Sequence, residues 1–88
     1  MNRKELEQAL LSGKYAWPGG YPLYFITDDG AALSFEAVGD NFELVADSIE
    51  RELHDGWGVI AVSVNWEDGE LYCDHYHELI PSAYGEEA

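Results

Sequence analysis

Positive charge is nearly missing from this chain. Its 88 residues hold four Lys and Arg against eighteen Asp and Glu, a formal net charge of -14. That scarcity excludes unaided binding to nucleic acid or to an anionic membrane surface, because both would repel the chain. Cysteine is scarce as well. Cys73 stands alone, so no internal disulfide forms and the fold has to hold by packing. Long apolar runs are absent: the strongest, Tyr21 to Ile26 and Val59 to Val64, fall far below the roughly 20 residues of a membrane-spanning helix. The N-terminal stretch MNRKELEQALLSGKYAW has acids at Glu5 and Glu7, and fits neither a secretory signal nor a transit peptide. A cytoplasmic protein is expected.

What the chain does have is material for a core. Hydrophobic residues make up 47%, with three Trp, six Tyr and three Phe, which argues for folding rather than disorder. The length permits one domain, residues 1-88, with a small core and a radius of gyration of about 12 Å. Residues 1-16 form an N-terminal helical segment and 85-88 a frayed tail. The charge is divided unevenly along the chain. Residues 1-27 set Glu5 and Glu7 against Arg3, Lys4 and Lys14, a net of +1, whereas residues 28-88 set sixteen acids against Arg51 alone, a net of -15. These acids are interleaved with Phe42, Val45, Ile49, Val59 and Val62, so they decorate a folded surface instead of forming a tail.

The pattern predicts an α+β fold: a small antiparallel sheet of about four strands packed by one main amphipathic helix, with a short N-terminal helix. Asn2 to Leu11 reads as that short helix, stopped by Ser12-Gly13, and it either frays or docks on the sheet. Trp17 to Pro22 is a turn. Leu23 to Thr27 and Ala31 to Phe35 form a hairpin about Asp28-Asp29-Gly30. The main helix is predicted from Asp40 to His54, with Asp40 and Glu43 as a capping box and Asp55-Gly56 as its end. Trp57 to Trp66 is a strand with Ile60, Val62, Val64 and Trp66 on one face. Glu67-Asp68-Gly69 then turns into a last strand, Glu70 to Cys73. Whether the strand from Trp57 is central or at an edge stays open, and an exposed edge there would pair two subunits as a homodimer.

The main helix carries the most specific pattern. At 100° per residue, Glu36, Asp40, Glu43, Asp47 and Glu50 fall within an arc of roughly 80°, nearly opposite Phe42, Val45, Ala46, Ile49 and Leu53. If the helix starts at Asp40, Glu36 drops out. Such a stripe is either a plain solvated face or a row of carboxylates imitating nucleic-acid phosphates, and Glu67, Asp68, Glu70 and Asp74 would extend it. Catalysis is not expected. Asp28-Asp29 and Glu67-Asp68 precede glycines, where turn formation accounts for them, and no serine lies in a nucleophile motif. No cofactor or metal is expected either. Cys73, His75 and His77 point the same way along a strand, lack an evident fourth ligand, and His54 is remote in sequence.

The segments Trp17-Pro18-Gly19-Gly20-Tyr21-Pro22-Leu23-Tyr24-Phe25, Val64-Asn65-Trp66-Glu67-Asp68, Leu71-Tyr72-Cys73-Asp74-His75 and Ile80-Pro81-Ser82-Ala83-Tyr84 resemble a family of small phage, plasmid and bacterial proteins. Members of that family carry two C-x-x-C pairs in a zinc-ribbon-like pattern. The matching positions here are Ser34, Ala37, Cys73 and Tyr76, so the resemblance implies a scaffold that has lost its metal, with Phe35 and Tyr76 filling the volume. Size, acidity and context also resemble anti-CRISPR DNA-mimic proteins. That resemblance implies a bacterial host cell and a crRNA-guided complex as the partner.

Together these readings lead to a non-enzymatic inhibitor that binds a basic nucleic-acid-binding protein, most concretely a CRISPR effector complex, through the nine acids named above. The alternative is a metal-free structural or regulatory interaction domain that binds through Trp17, Tyr21, Tyr24 and Trp57. Either way the charge opposes compaction. Raising NaCl from about 0.1 M to about 1 M shortens the screening length from roughly 10 Å to 3 Å, and the melting temperature followed by circular dichroism is expected to rise. A fall would show that attractive pairs outweigh the self-repulsion.

Overall fold

The computed structural model describes residues 1-16, 21-66 and 70-82. Of the turn expected from Trp17 to Pro22, residues 17-20 lie outside the described residues, as do the Glu67-Asp68-Gly69 turn and the tail at 85-88, while Tyr21 and Pro22 are strand instead, paired with Ala16 and Tyr15. In chain order the elements are α1 (Arg3–Ser12), β1 (Tyr15–Ala16), β2 (Tyr21–Thr27), β3 (Ala32–Leu33), α2 (Phe35–Asp40), α3 (Phe42–Arg51) and β4 (Val59–Val64). The fold is α+β.

The sheet is antiparallel and built around β2. β4 pairs along one side of it, from Leu23 opposite Val64 to Thr27 opposite Val59. β1 meets Tyr21 and Pro22, and β3 meets Phe25 and Ile26. Leu23 N–H donates to Lys14 C=O, while the Pro22 carbonyl accepts from Asn65 N–H. Because the C=O and N–H of one trans peptide point to opposite sides of a strand, β1 and β4 flank β2 on opposite edges. β1 and β3 therefore lie end to end on the same edge, and the four strands make a sheet only three wide. Pro22 has no N–H to return the Asn65 bond, so the β2–β4 ladder closes there.

Several sequence expectations need correction. The strand read as Ala31 to Phe35 is only the two residues of β3, because the Ser34 hydroxyl accepts from Ala37 N–H at 3.0 Å and starts α2. The helix expected from Asp40 to His54 is shorter, α3 from Phe42 to Arg51, and a second helix, α2, precedes it; the two are separated at Asn41, whose backbone leaves the helical region (φ -119, ψ 35). Asn41 Nδ2 donates to the Ala37 carbonyl at 2.9 Å and to Tyr76 Oη at 3.3 Å, so its side chain shares the carbonyl that its own N–H reaches at 3.2 Å. Asp40 closes α2 and caps nothing, and Asn41 makes no side-chain cap bond. The capping box of this chain is at α1, where Asn2 Oδ1 accepts from Glu5 N–H and Glu5 Oε1 accepts from Asn2 N–H. α3 ends at Arg51, with Glu52 in the left-handed region at φ 54. The strand expected at Glu70 to Cys73 is a single bridge, Tyr72 to Leu79. In β4, Ile60 is skipped in the pairing between Val59 and Ala61, a bulge, and it lies 54% exposed beside α1 and α3.

The core joins all these pieces. Phe25, Leu33, Ala37, Val38, Val45, Ala46, Val59, Cys73 and Ile80 are buried together, and the Phe25 and Phe35 rings sit 4.4 Å apart. Of the two behaviours open to α1, docking is the one seen: Leu6 is fully buried in this cluster. Truncating it removes transfer energy and leaves a cavity, so Leu6→Ala is expected to cost about 2–5 kcal/mol. Leu11→Ala, on the same helix but 81% exposed, should stay within about 0.5 kcal/mol. Urea unfolding of both variants checks the docking, and equal costs would place α1 off the core.

Candidate functional site

The five acids of the helix stripe sit on two helices, Glu36 and Asp40 on α2 and Glu43, Asp47 and Glu50 on α3. All but Asp47 are exposed, and Asp47 is half-buried. Each already has a partner. Arg3 reaches from the start of α1 to Glu43 (3.2 Å) and Glu50 (3.2 Å) and lies over the Phe42 ring at 5.5 Å. Lys14, just past the end of α1, pairs with Glu36 at 2.7 Å. Arg51 pairs with Asp47 at 2.9 Å within α3, and Tyr76 Oη donates to Asp40 at 2.9 Å. α1 thus lies along α2 and α3 with a cation at each end.

The electrostatics follow from these contacts. Glu43 and then Glu50 hold the Arg3 guanidinium more firmly protonated than usual. Lys14 pulls the Glu36 carboxyl below the ordinary carboxylate range, and Glu36 raises Lys14 in return. Asp40 raises the Tyr76 phenol by accepting its proton in a hydrogen bond. Among the described residues, three of the chain's four Lys and Arg are therefore committed to this one stripe. Sequence periodicity found the acids and missed their partners. The signal was present in the charge division, since a net-positive N-terminal segment beside a strongly acidic remainder is what internal complementarity looks like.

The second group of acids divides differently. Glu67 and Asp68 lie outside the described residues. Glu70 and Asp74 are exposed, and the Asp74 N–H donates to the Ala32 carbonyl at 2.8 Å, which ties the C-terminal segment to β3. The turn acids have structural work. Asp29 accepts from Thr27 Oγ1, and Asp28 contacts His54 Nδ1. Asp55 accepts from Ser48 Oγ at 2.7 Å and from Trp57 N–H at 3.2 Å. His75 stacks on Trp57 at 3.9 Å and donates through Nε2 to the Gly56 carbonyl at 3.0 Å. This network fixes the α3–β4 loop, where Glu52, His54 and Gly56 all have positive φ.

The other candidates can be placed as well. Cys73 is fully buried, His75 is engaged with Trp57 and Gly56, and His77 is exposed. Among the described residues no three His, Cys, Asp or Glu side chains converge to hold a metal. Ser34, Ala37 and Cys73 are buried and Tyr76 packs on the core. Of the aromatics, Trp17 lies outside the described residues, Tyr24 and Trp57 pack on the core, and the half-buried Tyr21 meets Trp66 at 4.8 Å. Among the described residues no helix is long and apolar enough to cross a membrane. Compared with protein-family models, curated proteins and solved structures, the chain shows no match.

The loop acids give a pH prediction. The Ser48 hydroxyl, then the Trp57 amide, holds Asp55 below its ordinary value. A carboxyl depressed in the folded state stabilises it above the unfolded pKa, and that contribution is lost as pH falls through the folded value. Asp55→Asn keeps an acceptor but removes the charge. The stability gap between the native protein and Asp55→Asn is therefore expected to be present at pH 7 and to close as pH falls below about 4. Urea titrations across that range check it; a gap independent of pH would remove the charge from the loop's anchoring.

Proposed function

We propose that this chain is a non-enzymatic acidic binder that occupies the nucleic-acid-binding surface of a basic protein in place of phosphates, most concretely a bacterial CRISPR effector complex. One observation supports this reading above the others. Thirteen of the fourteen described Asp and Glu residues are exposed on a folded body, while three of its four cations are held in contacts to its own carboxylates. The outward field is consequently negative. A partner that meets it needs an array of Lys and Arg, the same array that receives a phosphate backbone. Such contacts speed association and are sensitive to salt.

Internal pairing changes which variants are informative. Neutralising Glu43, Asp47 and Glu50 together as Glu43→Gln, Asp47→Asn and Glu50→Gln is expected to weaken capture of the basic partner at least tenfold. Arg3→Ala does the opposite, because it releases Glu43 and Glu50 to the partner. The measurement is a pull-down from bacterial lysates carrying different CRISPR effectors, washed at about 0.1 M and about 1 M salt, followed by competition of the captured protein with target DNA. Capture lost at high salt and displaced by DNA supports the reading. Full-strength capture by the triple variant, or capture that survives high salt and ignores DNA, overturns it.

A further inference from the structure

The edge of β2 that β1 and β3 share has a gap between them, and a groove of about 520 Å³ opens beside it. Tyr15 of β1, Leu23 of β2, Phe35 at the start of α2, and Leu79 and Pro81 of the C-terminal segment supply its apolar lining. That segment is fastened in place by Asn65, whose amide donates to the Ile80 and Pro81 carbonyls at 3.3 and 3.1 Å. Tyr72 is bridged to Leu79, and this pair is 55% and 52% exposed. The apolar surface therefore continues past the groove rather than closing over it.

The rim is anionic and already holds a cation. Glu36 and Glu78 line the groove together with Lys14. The Lys14 ammonium sits 2.7 Å from Glu36 and 5.9 Å from the centre of the Tyr15 ring. A carboxylate and an aromatic face on either side of one cation form a local arrangement suited to positive charge. An arginine fits it better than the resident lysine does, since a guanidinium pairs with a carboxylate through two parallel hydrogen bonds and stacks flat on an aromatic ring. Other occupants are disfavoured by charge. The chain's own C-terminal residues 83-88 carry Glu86 and Glu87, and a second copy brings another formal charge of -14.

We infer that this groove receives an arginine-bearing apolar segment of the basic partner. The guanidinium displaces Lys14 from Glu36 and also meets Glu78, while the flanking apolar side chains cover Tyr15, Leu23 and Leu79. The inference rests on the acidic-binder reading above and adds a specific anchor to it. Volumes of this size are typical of sites for small ligands. The apolar lining also gives the complex a component that a bare charge array would lack.

The test is a titration of the ¹⁵N-labelled full chain with a capped Leu-Arg-Leu tripeptide, against the same peptide with neutral citrulline in place of arginine. Saturable shifts are expected at Lys14, Tyr15, Glu36 and Leu79, with a dissociation constant on the order of 1 mM and no saturation by the citrulline peptide. Lys14→Met, by removing the resident competitor, should tighten binding about two- to fivefold, and Glu36→Gln and Glu78→Gln should each weaken it by a similar factor. Glu7→Gln, exposed on α1 and outside the groove, should leave it unchanged. Shifts scattered over the acidic surface, equal response to citrulline, or equal losses from Glu7→Gln and Glu36→Gln would overturn the groove assignment. Melting curves of each variant separate these outcomes from unfolding. Groove binding in a protein that captures no basic partner would overturn the inhibitor reading and leave the groove standing, and partner capture without groove binding would do the reverse.

Discussion

Everything in this molecule is arranged around the cost of crowding like charge on a small body. A net charge of -14 is carried by a chain whose radius of gyration is 12.5 Å, so most of its carboxylates lie within one or two screening lengths of several others. Repulsion of that kind is long-ranged and is not removed by local rearrangement. Three of the four cations are placed along the α2–α3 side. Arg3, Lys14 and Arg51 meet four of the five stripe acids, and Tyr76 supplies a neutral donor to Asp40.

That placement explains why α1 belongs to the fold. An isolated ten-residue helix is marginal in water, and this one shows only a partial apolar stripe. Leu6 gives it one fully buried anchor, and the cations at its two ends add an electrostatic one. Hydrophobic and charge complementarity thus act on the same element in the same direction. Local consistency of this kind is what allows a short chain with one cysteine and a small core to settle in a single arrangement.

Much of the architecture was legible in the sequence for identifiable reasons. Apolar alternation and the Asp28-Asp29-Gly30 turn located β2 and its return, and Gly30 has the positive φ that such a turn requires. Ser12-Gly13 marks the end of α1, where Gly13 is the cap, whereas the capping box belongs to Asn2 and Glu5 and not, as the pattern suggests, to Asp40 and Glu43. The misreadings arose where a side chain overrode periodicity. The alternation carries the strand through Ser34 to Phe35, whereas the Ser34 hydroxyl caps α2 and Phe35 packs on Phe25. Asn41 splits a helix that its apolar spacing would continue, because its amide finds Ala37 and Tyr76; Tyr76 is thirty-five positions away and invisible to any local pattern. For the same reason the stripe was found and its cations were not. Periodicity reports which residues share a face, and says nothing about which distant segment lies on it.

The docking of α1 has a consequence for selectivity. Arg3 and Lys14 are tethered beside their carboxylates, so they act at a high effective concentration, which for short tethers reaches the millimolar range. A lone lysine on some other protein cannot outcompete a tethered neighbour. A single arginine exchanges with them only at concentrations of that order, whereas a surface that offers several cations at once, in a geometry matching more than one of these carboxylates, exchanges at far lower ones. The docked α1 therefore sets a threshold on the acidic side, where isolated cations exchange poorly and closely spaced ones compete well.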